Sequence, residues 1–420
     1  MGVTWHTTSM GKISLNNNPV LNKWRRLSYL QSLFGVESVL APVLTIFYLS
    51  YAGYTFAQYS TMLALCFLFL WLIEIPAGAL ADKIGRKTAL VVGNVVYILA
   101  MLSVLLWKNE IPIVVVALLF SVGTAVTGSS FQSMMFDVYA SREAEDKFHE
   151  AMARSTSISL FAAAVAAILG GVLAEIDLAL PMVVDIILLS LATIIITLYV
   201  EEPKPTNLHH EGAPDRRSYL NIMKSGFLNA FSSWYMINFI LCAAVIFATL
   251  RVAFNFYQPL LLAAQVPYYQ VGGIFSALFL LSAASAYVFS HIKKRLLTTG
   301  LPELIFFSLF LAASLLILDD KNVFSIVAAI CFHQMVRGMY PSLTSYIYNI
   351  NIENGRADRT TTLATASFFR ASITGVATYL SGLFSESLGS NTIFSILSIA
   401  SALSLISLLA FRYASKEIMG

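Results

Sequence analysis

Charge is what this chain has least of: only 12% of its 420 residues are Asp, Glu, Lys or Arg, about half the share of an ordinary soluble protein. With 58% hydrophobic residues and a mean hydropathy of +0.75, that scarcity excludes a water-soluble globule. The apolar runs are about 20 residues long, the length of a membrane-crossing helix. Strands of a membrane barrel would be roughly 10 residues of alternating polarity, so a β-barrel is excluded too. Cysteine is scarce: Cys66, Cys242 and Cys331 all lie within apolar runs. An odd number so placed argues against a disulfide framework or a metal site and for small core residues. A net charge of +3 is too small to imply nucleic acid as a partner. No G-x-x-x-x-G-K-[ST] loop occurs, so no nucleotide site, no cofactor and no enzyme activity are expected. The stretch through Asn18 has no apolar core or small-residue cleavage site, so no signal peptide is expected before the first span.

The apolar runs predict an all-α membrane protein of twelve transmembrane helices. The first six fall at about 27–50, 57–81, 88–107, 112–137, 151–174 and 178–199. The others fall at about 235–263, 271–290, 302–318, 324–349, 361–383 and 392–411, with kinks expected at Pro42, Pro76, Pro259 and Pro341. Glu201 to Ser232 is the one long polar stretch between spans. The predicted organisation is thus a six-helix bundle over 1–200, a linker at 201–232 and a second six-helix bundle over 233–420.

Basic residues are sorted by side. Twenty-one Lys and Arg fall in the termini, the central linker and the loops on one side, including Lys83, Arg86, Lys87, Lys293, Lys294 and Arg295, while the opposite loops hold only Lys108 and Lys321. Cytoplasmic loops retain positive charge, which predicts that both termini and the linker are cytoplasmic in a multi-pass protein of the plasma membrane, a bacterial inner membrane. The opposite loops have no room for an external binding or catalytic domain.

Between spans two and three the chain reads Gly78-Ala79-Leu80-Ala81-Asp82-Lys83-Ile84-Gly85-Arg86-Lys87. This resembles the signature loop of the major facilitator superfamily, at the position the superfamily uses it. The resemblance implies two pseudo-symmetric six-helix bundles rocking about a central cavity. Spans 1, 4, 7 and 10 would line the cavity, 2, 5, 8 and 11 would flank it, and 3, 6, 9 and 12 would face lipid. It also implies a gating set of Glu74, Gly78, Asp82, Gly85, Arg86 and Asp137. Gly78 would admit a close helix, Gly85 a tight turn, and Asp82 would face the positive N-terminal end of span eleven at Thr360-Thr361-Thr362. Arg86 would pair with Asp137 at the end of span four. A fainter resemblance, Gly170-Gly171 on span five to the glycine-rich stretch of drug exporters, is explained equally by small-residue helix packing. The corresponding loop of the second half, Ser290 to Arg295, keeps only the basic cluster.

Ionisable groups inside spans cost several kcal/mol and mark function by default. Glu37 lies on span 1; Arg251, Arg337 and Arg370 lie on spans 7, 10 and 11 with His333. Arg251, Asn255 and Gln258 share one helical face, His333, Arg337, Tyr340 and Thr344 another, and Ser367, Arg370, Thr374 and Thr378 a third. Asp185 falls on an outer span and reads as structural. The predicted substrate-binding residues are Arg251, Asn255, Gln258, His333, Arg337, Tyr340 and Arg370, with Glu37 carrying the coupling proton. Three arginines against one glutamate suggest an anionic cargo, since guanidinium pairs bidentately with carboxylate and phosphate. The expected function is proton-coupled alternating-access transport of a small organic anion, a carboxylate metabolite or siderophore, by a monomer in the lipid bilayer. A proton-driven multidrug exporter and a non-transporting sensor or scaffold are the alternatives.

Overall fold

The computed structural model describes residues 19–34, 39–142, 145–201, 234–298, 301–318, 322–353 and 359–419. These residues are helical nearly throughout, and no strand occurs among them. The helices are α1 (Pro19–Phe34), α2 (Phe56–Ile84), α3 (Arg86–Trp107), α4 (Ile113–Ala140), α5 (Glu145–Ile176) and α6 (Leu180–Tyr199). The second set is α7 (Trp234–Ala263), α8 (Tyr268–Thr298), α9 (Leu301–Leu318), α10 (Val323–Glu353), α11 (Arg359–Leu388) and α12 (Ser390–Met419). Among the described residues nine helices are long and apolar enough to cross a membrane, and Ala41–Tyr51 and Phe307–Ile317 form shorter apolar pieces in the first and ninth spans. α11 completes the twelve; its serines, threonines and Arg370 lower its hydropathy but not its length. Residues 202–233, with nearly all of the predicted linker, lie outside the described residues.

Packing repeats between the two sets. α3 packs on α4 and α6 as α9 does on α10 and α12, α2 on α4 as α8 on α10, and α1 on α5 as α7 on α11. The most extensive contacts that join the halves are themselves a symmetric pair, α5 against α8 and α2 against α11. The molecule is therefore two pseudo-symmetric six-helix bundles. Within the first bundle, Gly93 lets α3 approach Thr127 of α4, and Asn94 donates to Thr193 of α6 at 3.0 Å while accepting from Thr127 at 3.2 Å.

The first span departs from expectation. Rather than one helix over 27–50, it is interrupted: after α1 the chain bends at Val39 and Leu40, forms a 3-10 turn over Ala41–Val43, a three-residue α-helix over Leu44–Ile46 and a π-helix over Phe47–Tyr51. Pro42 has no N–H to continue a helical ladder. The groups released are met elsewhere. Asp185 of α6, 3% exposed, accepts from the backbone N–H of Val39 at 3.1 Å and of Leu40 at 2.9 Å. Irregular backbone at membrane depth survives only where protein supplies such partners. Pro76, Pro259 and Pro341 sit inside α2, α7 and α10 without ending them.

Candidate functional site

Two ends of the bundle organise the site. At one end α2 passes into α3 through a single residue, Gly85, at φ +93°, a conformation that side chains resist. Arg86, the first residue of α3, donates to the Ser133 carbonyl at 2.8 Å and forms an ion pair with Asp137, which is 5% exposed. Glu74 is exposed one turn before Gly78, and a Cβ built at Gly78 meets nothing within 4 Å. Among the described residues, then, nothing is in close contact with the face of Gly78 in this conformation. The side chains of Asp82 and of Thr360 to Thr362 lie outside the described residues.

At the far end the two halves are in backbone contact. A Cβ at Gly170 would lie 1.8 Å from the Val39 carbonyl oxygen, and one at Gly171 would lie 2.8 Å from the Cα of Gly272 on α8. Of the glycine pair of span five, Gly170 thus packs on the interrupted span of its own half and Gly171 serves helix packing between the halves. A Cβ at Gly382 of α11 would meet Ser60 of α2 at 2.4 Å, and Glu386 accepts from the Ala57 N–H at 2.9 Å. Gln258, fully buried on α7, spans the halves at the break of the first span. Its carbonyl accepts from the Thr45 N–H at 2.7 Å and its amide donates to the Ala41 carbonyl at 2.8 Å. A side chain expected to bind substrate is thus occupied by backbone.

Between these ends lie the arginines. Arg251 sits over Phe67 of the opposite half, 5.6 Å from its centroid, and 5.9 Å from Phe254. Arg337 sits 5.7 Å from the same Phe254 ring and 5.6 Å from Phe279, and Arg370 sits 5.4 Å from Phe247. Aromatic faces attract such cations but supply no hydrogen-bond acceptor in the ring plane. Other contacts are Arg337 to Gln334 and Arg370 to Ser367, each at 3.4 Å, and Arg370 also lies beside the Tyr340 hydroxyl. None of the three is paired with a carboxylate among the described residues; Glu37 lies outside them.

Other predicted residues divide. His333, 1% exposed, hydrogen-bonds and stacks with Tyr257 of α7, and its Nε2 has no partner. Tyr340 donates to the Ala243 carbonyl at 3.0 Å. Asn255, also 1% exposed, has neither amide atom hydrogen-bonded, and the buried hydroxyls of Thr374 and Thr378 are likewise without partners. The Phe254 partnership was legible three residues from Arg251. Phe67, Phe247 and Phe279 carry no local signal, because only tertiary packing brings them to the arginines.

The sequence profile of the Major Facilitator Superfamily matches residues 32–376. The chain belongs to the major facilitator superfamily. A solved structure of a point mutant of the nucleoside transporter NupG is similar at a TM-score of 0.76 and 11% identity, covering 93% of this chain and 99% of that one. Another structure of NupG has a TM-score of 0.72 at 12% identity, covering 94% and 99%. A POT family transporter in complex with a thioalcohol-conjugated peptide has a TM-score of 0.65 at 11% identity, covering 93% and 94%. At these identities the likeness speaks for the fold alone. No curated protein matches the chain by sequence. Membership in the superfamily makes this chain a multi-pass membrane transporter of a small molecule, not an enzyme.

Proposed function

We propose that this superfamily member moves a small organic anion across the plasma membrane by proton-coupled alternating access. The observation that carries the reading is Arg251. Its Nε is buried without an acceptor, and no carboxylate pairs with it among the described residues. A guanidinium cannot shed its charge, so the counter-charge has to come from Glu37, solvent ions or cargo, and one glutamate cannot serve three arginines. Arg337 and Arg370, more exposed, add two further cations without a carboxylate partner among the described residues. On this reading Arg251, Asn255, His333, Arg337, Tyr340 and Arg370 receive substrate, Gln258 holds the halves in register, and Glu37 takes the coupling proton. The halves, divided at 201–232, rock as units. Both termini and the linker face the cytoplasm, and the transporter is a monomer. The glycine-sealed far end is then the outer gate in its closed state, and Glu74, Gly78, Asp82, Gly85, Arg86 and Asp137 form the inner gate. Its Arg86–Asp137 pair is already made within the first half, while the Asp82 contact to α11 forms only when the far end opens. The neighbours named for nucleoside and peptide cargo support organic solutes of this size as a class.

The multidrug alternative draws on the rings around each arginine, which suit lipophilic ligands. Proteoliposome uptake decides. Labelled carboxylates driven by a pH gradient, with loss of uptake in Arg337→Gln, are expected; preference for lipophilic cations, unaffected by that substitution, overturns the reading in favour of the exporter.

A further inference from the structure

Of the three arginines, Arg251 lines a cavity of about 200 Å³ whose other walls, among the described residues, come from the first half of the chain. Tyr48 belongs to the interrupted span, Tyr59 and Phe67 to α2, Tyr97 to α3 and Phe120 to α4. The rings form two pairs, Tyr48 with Tyr59 at 5.0 Å between centroids, and Tyr97 edge-on to Phe120 at 5.3 Å. Arg251 is the only charged residue among the described residues of the lining, and its guanidinium covers the Phe67 end. The interruption of the first span matters here, since the π-helix is the element that carries Tyr48.

Size and chemistry select a ligand. An apolar cavity of about 150 Å³ accepts a benzene molecule, so this one holds a single ring with a small substituent and not two fused rings. Aromatic walls favour a ring in offset or edge-to-face contact. The unmatched Arg251 Nε favours a carboxylate on that ring, because a planar fork meets two oxygens at once. We propose that this cavity is a cargo subsite for single-ring aromatic monocarboxylates, with the carboxylate on Arg251 and the ring among Tyr48, Tyr59, Tyr97 and Phe120. This rests on the anion-transport reading and narrows it.

Cys66 provides the test, since it lines the cavity and is partly exposed. In the full chain with Cys242→Ala and Cys331→Ala, Cys66 is the remaining thiol, and its modification by N-ethylmaleimide reports occupancy. Benzoate at ten times its Kd should slow modification roughly tenfold, while benzamide, of the same shape without charge, should not. Arg251→Gln should remove protection by benzoate, measured against that variant's own unliganded rate. Thr124→Leu, which fills the cavity from α4 and gives up only a bond to the Phe120 carbonyl of its own helix, should weaken benzoate and spare succinate uptake into proteoliposomes. Equal protection by benzamide overturns the proposal. So does absence of benzoate protection alongside arginine-dependent succinate uptake, which would leave the anion reading standing. Failure of both carboxylates, with transport indifferent to all three arginines, overturns the two readings together.

Discussion

Gln258 and Asn255 stand less than one turn apart on α7, equally buried, yet belong to different regions. At the far-end seam Gln258 satisfies two backbone groups of the interrupted span, as Asp185 satisfies two more. One turn from Arg251, Asn255 has no hydrogen bond at either amide atom, and Arg251 Nε, His333 Nε2, Thr374 and Thr378 share that condition. Buried polar groups are almost always paired. Where protein supplies the partner the group builds the fold; where it does not, the group awaits water or cargo. The seam therefore ought to be costly to alter in stability, and the cavity costly in transport.

The sharpest way to break that contrast is at the glycines. Gly171→Val would drive a side chain into Gly272 of α8, so the far end should no longer close and uptake should vanish. Gly273→Val, whose Cβ meets nothing within 4 Å, should transport normally. Equal uptake by the two variants would show that the seam does not gate. Next comes the amide pair. Gln258→Leu leaves two buried backbone groups unsatisfied and should lower stability in detergent by about 2–4 kcal/mol. Asn255→Leu removes groups with no partner and should change stability by less than about 0.5 kcal/mol while impairing uptake. Thermal unfolding of both variants checks this; the reverse order would exchange the roles of seam and cavity.

Arg337→Lys retains charge but loses the planar fork, so carboxylate affinity should fall roughly tenfold, about 1.4 kcal/mol, with the melting temperature unchanged. A lower melting temperature at normal affinity would make the cavity structural. The smallest effect is expected at the signature end, where Asp82→Asn should weaken an interaction with the start of α11 by about 0.3–2 kcal/mol. Transport should slow while substrate Kd stays fixed, and equilibrium binding set beside initial uptake rates separates the two.

Much of the frame could be read directly. Apolar runs located the spans to within a few residues, because hydrocarbon thickness dictates their length. Helices overshoot at charged ends, α5 beginning at Glu145 rather than 151 and α8 continuing to Thr298 rather than 290, since hydropathy marks the membrane and not the end of a helix. At the signature loop, glycine chemistry anticipated the turn at Gly85. The interruption of the first span was not legible. Pro42 promised a kink, but Asp185 and Gln258, about 140 and 210 residues away, are what make a fuller break tolerable.

Taken by itself, the order of residues determined what local physics and the bilayer enforce: twelve helices, the sorting of basic loops, the tight turn after α2 and the presence of three arginines at membrane depth. Tertiary structure alone decided which polar groups are spent and which remain open. A side chain's periodicity names the helix face it occupies, but whether that face meets a carbonyl, a ring or an empty cavity depends on helices far away in the chain. For that reason Gln258 and Asn255 are alike in sequence and opposite in structure, and Tyr48, Tyr59 and Phe67 come to surround Arg251 only through the packing of the two halves.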